Sequence, residues 1–417
     1  MTEPDPLEHR IVELKAGQTN SKSQMPEYKY LIVGGGMTAN AAVKGIRSVD
    51  SEGSLGLIGS EQDPPYKRPP LSKGLWKGKQ LDSIWLKTQE QHVELHLGRT
   101  VERLDPGSKL VIDDQGTEYR YAKLLLATGG TPRRLPFGGD SVIYYRSVTD
   151  FRRLRALADS LERFVVIGGE FIGSEVAAAL AMNGRKVKMV FPETGICGRL
   201  FPADLSSSLN DYYREKGVEV LAGESVEGIE DTAGTIRVRL KNGASFEADV
   251  VVGGIGILPN TQLAQGAGLE VEDGIVVSLS LQTSDPDVYA AGDVARFYNP
   301  ALGRQMRVEH EDNANVMGEL AGKAMAGADI RYDHQPYFYS DLFELGYEAV
   351  GELDSRHQLV ADWQIPYKKG VVYYLESGRV RGVLLWDTWG KIDAARQLIA
   401  ELGPFSAADM KGRIAPE

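Results

Sequence analysis

Tyr28-Lys29-Tyr30-Leu31-Ile32-Val33-Gly34-Gly35-Gly36-Met37-Thr38-Ala39 decides the reading of this chain. Residues 28–33 have the composition of a short buried strand, the three glycines that of a turn, and residues 39–47 that of a helix. Gly34, Gly36 and Ala39 match G-x-G-x-x-G/A in the strand, turn and helix setting that gives the pattern meaning. The first glycine permits the turn, and the second removes a Cβ so that backbone can approach a phosphate. The helix N-terminus adds N–H donors and a partial positive charge. A dinucleotide pyrophosphate is therefore expected against Gly34, Gly36, Met37, Thr38 and Ala39. Glu61, just past a strand expected at 55–58, is placed to accept hydrogen bonds from an adenosine ribose.

The same grammar returns further along. Residues 164–167 read as a strand, Gly168-Gly169 as a turn and residues 171–182 as a helix, followed by a strand at 186–191. Two nucleotide-binding units are expected, with Gly168, Gly169, Ile172 and Gly173 in the second turn. A β-type stretch at 110–129 after the first unit is echoed at 246–256 after the second, as internal copies would be. The second copy breaks the pattern at Glu170, which replaces the middle glycine. Two arrangements are open: a Cβ and carboxylate that crowd and repel a pyrophosphate, or a side chain facing solvent after a small backbone shift. Glu193, ending the second strand of this unit, suits the 2′- and 3′-hydroxyls of NADH and should repel the 2′-phosphate of NADPH, an effect that Arg199 would partly offset.

Working outward, the 417 residues contain 47 Lys plus Arg and 58 Asp plus Glu, a net charge of −11 that argues against nucleic-acid binding. The 42% hydrophobic content is that of a globular protein, and the length allows two or three cores. Apolar runs stay far below the roughly 18 residues of a membrane span, so no membrane role is expected. One cysteine, Cys197, cannot form an internal disulfide or supply a redox thiol pair, which fits a reducing cytoplasm. The six histidines do not cluster at ligand spacing, and no metal site is expected. Residues 1–25 read as a tail in which Met25 offers an alternative start. Residues 26–147 with 274–332 form one unit, 148–273 the second, and 333–417 a C-terminal α+β domain. Antiparallel strands at 347–353, 359–365, 370–376 and 379–386 precede a helix at 391–402 that buries Ile392, Ala395, Ile399 and Leu402. The fold class is thus α/β, with two Rossmann-like domains and an antiparallel C-terminal domain.

Asp293, in Ala290-Ala291-Gly292-Asp293, closes a strand near the first glycine turn, where an acid can hold a flavin's ribityl hydroxyls. Pro69-Pro70-Leu71-Ser72-Lys73 opens a helix whose lysine, beside an isoalloxazine ring, would stabilise the anionic reduced form. His310, next to Glu309 and ahead of a helix expected at 313–326, has two readings: a satisfied structural histidine, or a ring that packs against a reduced flavin.

These motifs together resemble the two-dinucleotide-fold flavoprotein reductases. More narrowly, Pro65-Tyr66-Lys67-Arg68-Pro69-Pro70-Leu71-Ser72-Lys73-Gly74-Leu75-Trp76, Ala127-Thr128-Gly129-Gly130-Thr131-Pro132-Arg133, Val308-Glu309-His310 and Ser340-Asp341 resemble the apoptosis-inducing-factor-like branch with its ferredoxin-reductase relatives. The resemblance implies FAD in the first unit and NAD(P)H in the second. It implies a Lys73–Glu175 pair beside the flavin, and flavin contacts from Arg68, Val101, Thr128, Gly129, Arg146 and Asp293. Phe171, Glu193, Gly256, Glu309, His310 and Glu348 would follow the path of the nicotinamide nucleotide. Tyr339 stands where relatives place a tryptophan over the cofactors, retaining a π face. The expected activity is hydride transfer from NADH, with NADPH less favoured, to FAD and then electron transfer to an external acceptor: a ferredoxin-like protein, a quinone or a dye. The competing expectation is a slow redox-responsive binding protein, in which an NADH charge-transfer complex controls homodimerisation or partner binding.

Overall fold

The computed structural model describes residues 25–415 apart from Ala233. The expected tail lies outside the described residues except for Met25. The strand Glu27–Val33 turns Tyr28, Tyr30, Leu31, Ile32 and Val33 inward, and such a doubly buried run suits the centre of a parallel sheet. It pairs with Leu55–Gly59 on one side and Glu118–Leu126 on the other. Glu94–Leu97 and Val288–Ala290 complete five parallel strands. Antiparallel Leu110–Asp113 and Val101–Asp105 extend this sheet. Val33 aligns with Ile58 and Leu126, and Leu126 with Ala290, so the strands end level. That register puts the Gly34 turn, Thr128 and the segment leading to Asp293 on one carboxyl edge, where open α/β sheets bind ligands.

The second sheet is wholly parallel, in the order Val218–Ala222, Lys186–Phe191, Arg163–Ile167, Val250–Gly253, Val142–Tyr144. Val142–Tyr144 therefore crosses to the second unit before the boundary expected after residue 147, because its register continues Val251–Gly253. The hairpin of Val271–Glu272 with Gly274–Val276 likewise spans the boundary expected after residue 273. Gly130–Pro132 pairs with Ile257–Pro259 and ties the two units together.

The C-terminal sheet has five antiparallel strands, Tyr337–Leu342, Leu345–Gly351, Arg379–Trp386, Lys369–Glu376 and Gln358–Ile365. Four match the expectation. The first was not expected, because Ser340 and Asp341 interrupt its apolar pattern. The helix Ile392–Ala400 buries Ala395, Leu398 and Ile399. Ala395 and Ile399 are as expected and Ile392 packs partly buried against the same core, but Leu402 lies beyond the helix end and is 76% exposed, and Leu398 takes its place.

The helices Met37–Arg47 and Glu311–Met325 touch backbone to backbone. A Cβ on Gly322 would stand 2.1 Å from the Ala42 carbonyl oxygen, and one on Gly318 2.4 Å from that of Thr38. This close approach brings His310, the N-cap of the second helix, to the edge that carries the glycine turn.

Candidate active site

Two clefts meet along that edge. The smaller, of about 680 Å³, is bordered by Gly34, Gly36, Met37, Thr38, Glu61, Val101, Thr128 and Gly129, with Ala39 buried behind it. Gly34 adopts φ +130°, and a Cβ there would meet the Ala127 carbonyl oxygen at 2.1 Å. A Cβ on Gly36 would meet nothing within 4 Å, so the bare backbone at the helix N-terminus faces open space. Glu61 is already engaged: it accepts the Tyr66 hydroxyl at 2.6 Å and the Arg68 guanidinium at 2.5 Å. Arg68 also donates to the Arg146 carbonyl, and Arg146 donates to Asp293 at 2.8 Å. Met37, Arg68, Arg146 and Asp293 border the larger cleft too, of about 870 Å³, so the two form one groove.

At the far end of the groove lies Lys73. Pro69 and Pro70 lack the N–H groups that would extend an α-helix. The segment forms two 3₁₀ turns instead, Pro69–Leu71 and Gly74–Lys77, and this corrects the helix expected there. Lys73 Nζ stands 2.6 Å from Glu175 Oε1, as the family resemblance implies. Two hydroxyls that sequence reasoning missed take the other Glu175 lone pairs: Ser72 Oγ donates to Oε2 and Ser340 Oγ to Oε1, both at 2.5 Å. Glu175 is 4% exposed. The Lys73 ammonium lies 5.3 Å from the centroid of the Tyr339 ring, whose hydroxyl donates to Glu311 at 3.2 Å.

Aromatic rings line the facing wall. His310 stacks on Phe338 with centroids 4.4 Å apart and planes 20° apart, and Phe171 meets Phe338 edge-on at 5.3 Å. Burial pushes the His310 imidazole down to about 4, so it is neutral at neutral pH. Phe338 sits on the strand that the sequence pattern concealed. Ile172, Gly256, Glu309 and Glu348 border the same cleft. Burial raises the carboxyl pKa of both glutamates, while Arg307 at 2.8 Å opposes the shift at Glu309.

The second glycine turn has Gly168 at φ +116°, and a Cβ on Gly173 would collide with the Gly168 carbonyl. Glu170 is the N-cap residue of the helix Phe171–Met182 and borders the larger cleft. Of the two arrangements left open by the sequence, the solvent-facing one is not the one seen, since Glu170 borders the cleft and is paired. The carboxylate is not free in solvent, and it is not an unopposed charge, because Arg199 Nε lies 3.1 Å from Glu170 Oε1 and equally 3.1 Å from Glu193 Oε1. Burial raises the Glu170 pKa while Arg199 pulls it down. Gly168, Gly169, Gly173, Glu193 and Arg199 do not border either of the two clefts. Cys197 is buried beneath this turn, donating its N–H to the Gly169 carbonyl at 2.9 Å, and burial pushes its thiol pKa up. Among the described residues, Glu352, Asp354 and His357 come close enough to suggest a metal, but Arg304 and Arg356 pair with the two carboxylates. Among the described residues no helix is long and apolar enough to cross a membrane.

A flavin dinucleotide fits this groove: it is continuous from the bare Gly36 backbone to Lys73, with hydrogen-bonding side chains along its length and aromatic rings at the far end. Known proteins agree. Residues 28–318 match the model of the pyridine nucleotide-disulphide oxidoreductases, and 321–366 with 361–401 match that of the apoptosis-inducing factor C-terminal region. The chain is 37% identical over 417 aligned residues to apoptosis-inducing factor 1, mitochondrial, of Dictyostelium discoideum, covering 89% of this chain and 78% of the relative. It is 34% identical to the ferredoxin–NAD(+) reductase component of the anthranilate 1,2-dioxygenase system of Burkholderia cepacia, covering 89% and 94%. Among solved structures, the covalent putidaredoxin reductase–putidaredoxin complex superposes with a TM-score of 0.84 at 31% identity, covering 89% of this chain and 93% of that one. The chain belongs to the pyridine nucleotide-disulphide oxidoreductase family, in its apoptosis-inducing-factor-like branch, and is a flavin- and pyridine-nucleotide-dependent oxidoreductase that passes electrons to an acceptor.

Proposed function

We propose that the chain is an FAD-dependent NADH oxidoreductase that delivers electrons to a small external redox protein of the ferredoxin type. The observation that carries this reading is the groove itself, which joins the first glycine turn to a buried Lys73–Glu175 pair and an aromatic wall. FAD, when bound, supplies a ring that accepts two electrons from a nicotinamide and releases them onward. The Gly34–Gly36 backbone and helix N-terminus receive the pyrophosphate. Arg68, Arg146 and Asp293 hold the middle of the dinucleotide, with Val101, Thr128, Gly129 and Glu61 nearer its adenosine end. Lys73 supplies one positive charge, held in place by Glu175, Ser72 and Ser340.

Phe171, Phe338, neutral His310 and Tyr339 exclude water and give the nicotinamide a flat apolar approach, bordered by Ile172, Gly256, Glu309 and Glu348. Glu193, with Glu170 beside it, favours NADH over NADPH. No thiol relay takes part, since the chain has one cysteine and it is buried. The ferredoxin-type acceptor is supported by the reductase relatives, and a reducing cytoplasm is the compartment we propose on the cysteine content. Anaerobic titration of the yellow protein tests the reading: one FAD per chain should bleach with NADH at lower concentration than with NADPH. A colourless protein that takes up no FAD overturns it.

A further inference from the structure

Arg199 sits where three tight constraints converge. Cys197, at φ +54°, anchors the loop to the second glycine turn through its N–H, and the Leu200 and Phe201 N–H groups fold back onto the Cys197 carbonyl. The Arg199 carbonyl accepts the Ser355 N–H from the C-terminal domain at 2.9 Å. Its backbone is therefore pinned while its side chain is 71% exposed. The guanidinium Nε is shared by two carboxylates, Glu170 and Glu193, at the same distance of 3.1 Å. Two negative groups draw on one positive group, which leaves one negative charge uncompensated beside the second turn.

Glu193 lies two residues past the strand Lys186–Phe191, the place from which an acid meets the adenosine ribose in such units. Glu170 is the N-cap residue of the helix Phe171–Met182, the end that would receive a pyrophosphate in the pyridine-nucleotide reading of this turn. An arginine between them is the group that a 2′-phosphate, which brings close to two negative charges, would recruit by a charge-assisted contact. In this chain that arginine's Nε is divided between Glu193 and Glu170.

We propose that Glu170 is a specificity-determining residue that acts through Arg199: by holding the guanidinium, it withholds it from the 2′-phosphate of NADPH and so enforces NADH selectivity. This rests on the pyridine-nucleotide reading of the second turn. Glu193 alone opposes the 2′-phosphate directly, whereas Glu170 removes the cation that would offset that opposition. Glu170 is thus a positioning residue for selectivity.

The test is calorimetric titration of the FAD-loaded protein with ADP-ribose and with 2′-phospho-ADP-ribose, neither of which carries the nicotinamide. Glu170→Gln should raise affinity for the 2′-phosphorylated probe about tenfold more than for ADP-ribose. In an Arg199→Gln background the same change should move both probes alike, and Arg199→Lys should retain part of the coupling. In steady-state assays the gain with NADPH should appear chiefly as a lower KM. Unaltered FAD content across the set reports intact folding. A probe ratio that Glu170→Gln leaves unchanged, or an equal ratio shift in the Arg199→Gln background, overturns the proposal. If the wild type binds neither probe, the coenzyme reading itself fails and takes the proposal with it.

Discussion

Lys73 and Glu175 show how much a single buried charge depends on distant partners. Ser72 and Ser340 complete the hydrogen bonding of Glu175 from 103 and 165 positions away. Breaking a buried ion pair by removing one partner typically costs about 3–5 kcal/mol, because the other charge stays buried and uncompensated. Lys73→Ala should therefore lower the melting temperature and also slow NADH-dependent flavin reduction in stopped flow. Lys73→Met combined with Glu175→Leu removes both charges, so it should recover much of the stability but none of the reduction rate. A double variant that reduces at the wild-type rate would confine Lys73 to a structural part. The pair was legible in the sequence through the resemblance of its motif. The serines were not, because hydroxyls carry no spacing signal and reach Glu175 only after three parts of the chain have folded. Glu170 was legible as an anomaly, but its partner became clear only once the turn at Cys197 placed Arg199 beside it.

At the scale of elements, the sequence pattern found the parallel strands with long buried runs, such as Glu27–Val33, Leu55–Gly59, Arg163–Ile167 and Val250–Gly253. It missed the shorter or half-exposed Glu94–Leu97, Val142–Tyr144 and Val218–Ala222, as well as a strand where function interrupts the pattern. Tyr337–Leu342 was missed for the reason that makes it useful: it presents Phe338 and Tyr339 to the cleft and Ser340 to Glu175, so its alternation serves two different environments. The 3₁₀ turns around Lys73 were mistaken for a helix because two prolines are common at a helix start as well as in turns. The helix pair Met37–Arg47 and Glu311–Met325 carries a sharper lesson. Gly322 reads as a weak point in a helix, with a cost of about 1 kcal/mol relative to alanine. Its structural value is contact, since a Cβ there would lie 2.1 Å from a backbone oxygen that cannot yield. Gly322→Ala should therefore destabilise, by about 1–3 kcal/mol of overpacking that exceeds the propensity gain, as a lower melting temperature by circular dichroism. A variant more stable than the parent would show that the helices part without loss.

Over the whole molecule, the two nucleotide units were legible as a repeated strand, turn and helix, but their seams were not. Val142–Tyr144 and Val271–Glu272 are assigned by pairing partners about a hundred positions or a few residues away, which composition does not encode. The seams matter because the groove lies across them, with Lys73 in the first unit, Glu175 in the second and Tyr339 in the C-terminal sheet. A ligand that binds only the folded chain stabilises it by mass action, by about 2.7 kcal/mol at a hundredfold excess over its Kd. Flavin-stripped protein should accordingly melt at lower temperature, and its melting temperature should climb with the logarithm of added FAD. Arg68→Ala and Asp293→Asn should shift that FAD curve to higher concentration, since both side chains border the shared part of the groove. Glu193→Ala should leave the FAD curve in place and flatten the separate rise produced by ADP-ribose, because Glu193 belongs to the second sheet's edge and faces Arg199. If Asp293→Asn and Glu193→Ala displaced both curves equally, the two glycine turns would not be independent nucleotide sites, and the division of labour assigned to them would have to be redrawn around a single one.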